Sequence, residues 1–254
     1  MVSASSGNTA SGAPAPGVVR RAAPAIECRE VRKWFPGPER GTALQWYLPE
    51  LTVAARETVM VTGPSGCGKT TLVNLLSGLL LADSGTIVVE GQRLAEMSTA
   101  EADVFRGNNL GLVFQSFQLL RPLTVLENLL LGARYGRRWH GAEAHQRAER
   151  LLEQVGLTDR RFYKASRLSI GEQQRVAVAR ALINEPPVVL ADEPTASLDA
   201  RNAEAVLDLL LGLCSAQGAT LVVVTHNASL APRFQRQIDA SGWMTSVSQE
   251  VAHV

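Results

Sequence analysis

Apolar residues along this chain fall into two periods. Residues 58–62 (Thr-Val-Met-Val-Thr), 188–191 (Val-Val-Leu-Ala) and 220–225 (Thr-Leu-Val-Val-Val-Thr) are short runs with almost no polar face. They predict strands of a parallel sheet buried on both sides. Elsewhere the spacing is helical. Over residues 143–155, Ala144, Ala148, Leu151, Leu152 and Val155 share one face, Glu, Gln and Arg residues take the other, and Gly156 supplies a stop. Over residues 202–213 the inward set is Val206, Leu207, Leu210 and Leu211. Further helices are expected at 69–80 and 176–183. The pattern predicts an α/β fold: an antiparallel portion at about 26–62 and 85–93, a helical subdomain at about 116–175, and an α/β core that resumes over 176–226. No run reaches the roughly 18 apolar residues of a membrane-spanning helix; the longest interrupted stretch lies around residues 75–82.

Chemistry enters where the first buried run ends. Gly63-Pro64-Ser65-Gly66-Cys67-Gly68-Lys69-Thr70 fits the phosphate-loop pattern G-x-x-x-x-G-K-[ST], set between a predicted strand and a predicted helix. Gly63, Gly66 and Gly68 allow a tight turn whose N–H groups point inward at a helix N-terminus, a nest for triphosphate charge. Lys69 can reach the β- and γ-phosphates, the Thr70 hydroxyl can ligate Mg²⁺, and Thr71 adds a phosphate hydrogen bond. Cys67 is either a thiol activated by the helix end or a small filler. The run at 188–191 ends in Asp192-Glu193. There Asp192 is placed to hold Mg²⁺ and Glu193 to act as general base on the attacking water.

Leu168-Ser169-Ile170-Gly171-Glu172 completes the pattern, and with it the chain resembles the ATP-binding-cassette (ABC) ATPases over about residues 26–242. Their signature is usually written LSGGQ; here Ile170 replaces a glycine and Glu172 a glutamine. Ser169 and Gly171, which the resemblance aims at a γ-phosphate, are kept. The resemblance implies a P-loop cassette with a RecA-like core, an N-terminal antiparallel β portion and an inserted helical subdomain. It makes Gln115 the metal-touching coupling glutamine, Asp199 part of the loop crossing a dimer interface and His226 the γ-phosphate switch. The adenine-stacking aromatic falls on Phe35, with Trp34 as the rival. It further implies that two chains pair head to tail, so that the Lys69, Thr70, Gln115, Asp192, Glu193 and His226 of one chain meet the Ser169, Gly171 and Glu172 of another over ATP and Mg²⁺.

Composition then narrows the partners. With 25 basic and 24 acidic residues among 254 and a formal net charge of +1, the chain has no overall electrostatic footprint for nucleic acid. Cys28, Cys67 and Cys214 form no disulfide framework, which suits a reducing compartment. Residues 1–24, rich in Ala, Ser, Gly and Pro, read as a disordered tail rather than a secretion signal, and 243–254 as a C-terminal tail. Residues 113–128 resemble the transporter branch, especially ATPases that serve macrolide-exporter and lipoprotein-release permeases. On that reading 117–128 forms the groove for a separate membrane permease, and the chain lies at the cytoplasmic face of the cell membrane. Two other functions stay open: regulation of a cell-envelope complex without transport, and a soluble cassette acting on DNA or ribosomes.

Overall fold

The computed structural model describes residues 23–37, 42–136 and 138–248. Residues 1–22 and 249–254, which make up most of the two expected tails, lie outside the described residues. β1 (Ile26–Pro36) and β2 (Thr42–Val53) pair antiparallel, with Ile26 opposite Val53 and Pro36 opposite Ala43. β3 (Thr58–Thr62) then crosses to a second, parallel sheet and feeds α1 (Lys69–Leu76). β4 (Ser84–Val89) and β5 (Gln92–Arg93) return to the free side of β1. After α2 (Thr99–Asn109), β6 (Leu110–Val113) joins the parallel sheet. The chain next builds α3 (Val125–Tyr135), α4 (Gly141–Gln154) and α5 (Ile170–Leu182). It re-enters the parallel sheet through β7 (Val188–Asp192), α6 (Ala200–Gln217), β8 (Thr220–Thr225) and β9 (Arg236–Asp239).

The parallel sheet has the order β6-β7-β8-β3-β9 and is apolar on both faces. Val189 and Ala191 of β7, with Leu221 and Val223 of β8, face the cluster formed with α3 to α6; Val188, Leu190, Val222 and Val224 face α1 and the antiparallel sheet. This period-2 division explains why the strands read as unbroken hydrophobic runs.

Several boundaries differ from the sequence reading. β3, at 58–62, belongs to the parallel sheet rather than the antiparallel portion, because both its edges pair in parallel with β8 and β9. The antiparallel sheet instead gains β10 (Met244–Ser248), which pairs with β2, so the folded unit runs past residue 242 and the stretch from 243 begins as a strand. α1 stops at Leu76 because Gly78 turns into the left-handed region (φ +64°) and the Leu79 and Leu80 N–H groups both fold back onto Asn74 O. α5 begins at Ile170, six residues before the expected 176. Its start is set by a capping box: Ser169 Oγ accepts from Glu172 N, and the Glu172 carboxylate accepts from Ser169 N. α6 outruns its apolar face, capped by the Asp199 side chain at one end and by Gly218 (φ +67°) at the other. α5 packs on both α3 and β6, so the expected boundary at 175 falls inside one continuous helix.

Candidate functional site

The C-terminal ends of β3, β7 and β8 open side by side, where ligands bind in parallel α/β sheets. From β3 comes the phosphate loop, with Gly63, Gly66 and Gly68 at φ +159°, +82° and +96°. The middle and last of these lie in the left-handed region that favours glycine. Lys69 Nζ is buried in the loop and donates to Gly63 O at 2.7 Å and Pro64 O at 2.9 Å. Pro64 and Ser65 form the exposed lip, and Thr71 is half-buried on the first turn of α1. Cys67 is only 5% exposed, its Sγ 3.9 Å from Lys69 Nζ, so the small-filler reading describes its position.

Asp192 ends β7 at 8% exposure, and its Oδ1 has no hydrogen-bond partner among the described residues. Burial pushes its carboxyl above the usual range, with Glu193 adding to the shift and the Thr70 hydroxyl and Lys69 opposing it. A buried, partly unpartnered carboxylate beside a hydroxyl is an oxygen donor pair suited to Mg²⁺. Glu193 follows in the left-handed conformation (φ +47°), a strain of order 1 kcal/mol for a residue with a Cβ. Its N–H still pairs with Val224 O. Both carboxylate oxygens are held from β8: Thr225 Oγ1 donates to Oε2 at 3.0 Å, and His226 Nδ1 lies 2.9 Å from Oε1.

The remaining residues make no hydrogen bond to this centre among the described residues. Gln115 lies exposed just beyond β6. Ser169, Gly171 and Glu172 open α5, and no hydrogen bond joins them to the phosphate loop among the described residues. A side chain on Gly171 would meet Asn202, the residue capped by Asp199, so signature and Asp199 loop are neighbours. Ile170, 53% exposed, stands beside them. Ser169 Oγ donates to Glu172 Oε2 at 2.9 Å, and Arg160 Nε donates to Oε1 at 3.1 Å. Burial pushes the Glu172 carboxyl up, but the bonds from Ser169 and Arg160 outweigh it and hold the group below the ordinary carboxylate range. Phe35 packs against the cluster that contains Cys67, while Trp34, its neighbour on the strand, takes the opposite face and gives its N–H to Asp83.

Two residues of the site region escaped the sequence reading. Thr225, directly before His226, orients Glu193. Arg180 of α5 is half-buried and donates to Phe117 O at 2.9 Å and Gln118 O at 2.6 Å, clamping two consecutive left-handed residues (φ +56° and +49°) of the loop after Gln115. The signature helix thereby holds the Gln115 loop directly. No sequence pattern announces either contact, because both partners are distant along the chain.

Fold and site together define a P-loop nucleoside-triphosphatase. Residues 49–196 match the ABC transporter family profile, and the chain belongs to that family as an ATP-hydrolysing cassette. It is 44% identical over 189 residues to the lipoprotein-releasing system ATP-binding protein LolD of Bacteroides thetaiotaomicron, covering 74% of this chain and 86% of that one. It is 43% identical over 216 residues to LolD 2 of Rhodospirillum rubrum, covering 85% and 93%. Among solved structures, the dimeric post-hydrolysis state of the ATP-binding cassette MJ0796 bound to ADP and Pi superposes with a TM-score of 0.74 at 32% identity, over 88% of this chain and 98% of that one.

Asp192→Asn separates stability from function. The raised carboxyl pKa means that wild-type stability is fully present below the unfolded value and declines as pH rises through the folded one. At pH 7 the amide should therefore give the nucleotide-free protein a higher melting temperature than wild type. The difference should narrow as pH falls and wild-type Asp192 takes up its proton, and MgATP turnover should be lost. Paired thermal scans and phosphate-release assays check both; a lower melting temperature for the variant at pH 7 contradicts the assignment.

Proposed function

We propose that this chain is the ATPase subunit of a membrane complex that releases lipoproteins. The observation that carries the reading is its 43–44% identity, over most of both chains, to two ATPases named for lipoprotein release. On this reading the membrane step belongs to a separate permease and the chain lies peripheral on its cytoplasmic side; no helix among the described residues is long and apolar enough to cross a membrane. The segment 117–128 contributes Gln118 to the wall of a groove. Buried Asn128 ties it into a compact turn, bonding Leu120 N and the Leu120 and Thr124 carbonyls. The groove encloses about 450 Å³ and is lined by Leu112, Phe114, Gln118, Leu131, Tyr135 and Arg180. This is the surface we assign to the permease, because it joins the Gln115 loop to the signature helix.

In the mechanism that fits these positions, the phosphate-loop N–H groups and Lys69 bind the triphosphate of ATP, and Phe35 stacks on the adenine. Thr70, Gln115 and Asp192 would hold Mg²⁺, which would neutralise developing phosphate charge. Glu193, oriented by Thr225 and His226, takes the proton of the attacking water, and His226 contacts the γ-phosphate. Ser169 and Gly171 come from a second copy, a reading supported by the lack of any hydrogen bond between them and their own phosphate loop among the described residues. Closing two copies over ATP and opening them after hydrolysis supplies the motion that the groove passes on.

Purification from detergent-solubilised membranes tests the proposal. A permease should co-purify, and adding lipoprotein to the reconstituted complex should stimulate ATP hydrolysis severalfold. A partner that gates an extracytoplasmic hydrolase, with no response to lipoprotein, would overturn it.

A further inference from the structure

Trp46 sits in the middle of β2, opposite Lys33 of β1 and Met244 of β10, and is fully buried. A buried indole N–H needs an acceptor. Trp46 Nε1 donates to Gly68 O at 3.1 Å, across 22 residues of sequence. Gly68 is the N-cap of α1: it lies in the left-handed region, has no side chain to cap the helix, and its carbonyl also receives the first helical bond, from Leu72 N at 3.1 Å. The indole packs so closely here that a Cβ on Gly68 would overlap its Cδ1 and Nε1. Glycine is thus required at 68 twice over, by φ and by the ring.

The C-terminal segment completes the arrangement. Trp243 meets Trp46 edge to face, 5.6 Å between centroids at 80°, and its carbonyl receives Tyr47 N–H at 2.8 Å. Met244 Cε comes within 3.5 Å of the same point above Gly68. At the other end of the loop, Ala240 N–H donates to Thr62 O at 2.7 Å, and Ala240 and Ser241 pack 3.4 Å from where a Gly63 side chain would begin. Residues 240–244 therefore support the phosphate loop at its entry and its exit.

We propose that Trp46 is a positioning residue for ATP binding, braced by Trp243. In a planar trans peptide the carbonyl and the following N–H point in opposite directions. Holding Gly68 O on the outer side of the loop aims the Lys69 N–H into its concave side, where the triphosphate is bound. The brace preorganises a binding group and does not touch Glu193 or the attacking water, so it acts on nucleotide affinity and leaves the chemical step alone. The inference rests on reading the loop as the ATP site.

The decisive variant carries β-(3-benzothienyl)alanine at position 46, an isostere of tryptophan with sulfur in place of the N–H. Its dissociation constant for MgATP should rise about fivefold, the effect of one net hydrogen bond. KM should rise in parallel, kcat should stay within twofold, and the melting temperature without nucleotide should fall by no more than about 4 °C. Trp243→Leu should raise the dissociation constant in the same direction with kcat again preserved. Unaltered MgATP affinity in the isostere, or a loss of kcat without a change in KM, would reduce Trp46 to core packing and overturn the proposal. Lys69→Ala is the control for the underlying reading: if it still binds MgATP normally, the loop is not the ATP site, and the failure lies there rather than in the brace.

Discussion

Glu193→Gln is expected to keep MgATP binding within a fewfold of wild type while lowering steady-state phosphate release by at least about 10²-fold. The amide preserves the size of the side chain and can keep its bonds to Thr225 and His226, but it cannot accept a proton from water. The geometry sharpens this expectation. Glu193 is held in a left-handed backbone conformation with both carboxylate oxygens engaged from β8, so the variant should inherit the wild-type position and differ only in basicity. Turnover and equilibrium binding measured on one preparation separate the outcomes. Substantial residual hydrolysis removes Glu193 from the base role, and loss of binding shows that the change disturbed the loop.

The second large effect should act between chains. Ser169→Arg places a bulky cation at the exposed start of α5, on the surface expected to face the phosphate loop of a second subunit. It should abolish hydrolysis and leave MgATP binding to the single chain intact. Losing the Ser169 cap costs about 1 kcal/mol at the helix terminus, too little to unfold a domain with the buried core described above. Mixing Ser169→Arg with Lys69→Ala should recover activity from neither-active parents, because the heterodimer contains one site with an intact phosphate loop facing an intact signature. Undiminished hydrolysis by Ser169→Arg alone, or no recovery in the mixture under conditions where the chains associate, would contradict a shared site.

The parts of this site that were legible in the sequence are those whose chemistry is contiguous. The phosphate loop, the Asp192-Glu193 pair and His226 each follow an apolar run that can only be a buried strand, so the local pattern carries both the element and its exposed end. The signature motif was legible too, but not the start of its helix. That start depends on a cap rather than on an apolar face, and the pattern that marks it, Ser or Thr followed three residues later by Glu, also opens α2 at Ser98 and α3 at Thr124. The rest is non-local. β10 is a short edge strand recognisable only by its pairing with β2, some 200 residues earlier in the chain. The left-handed pair Phe117 and Gln118 contains no glycine to signal it and exists because Arg180 reaches across from α5. The contact between Trp46 and Gly68 joins the antiparallel sheet to the phosphate loop through one indole, and no periodicity in either segment encodes it.

The central claim is that one chain holds only half of an ATP site. Light-scattering mass measurement of the Glu193→Gln variant, with and without MgATP, tests it most directly. The 27.3 kDa chain should be monomeric without nucleotide and a stable dimer retaining two ATP molecules with it. A monomer that binds ATP fully and remains monomeric at saturating nucleotide would contradict the claim.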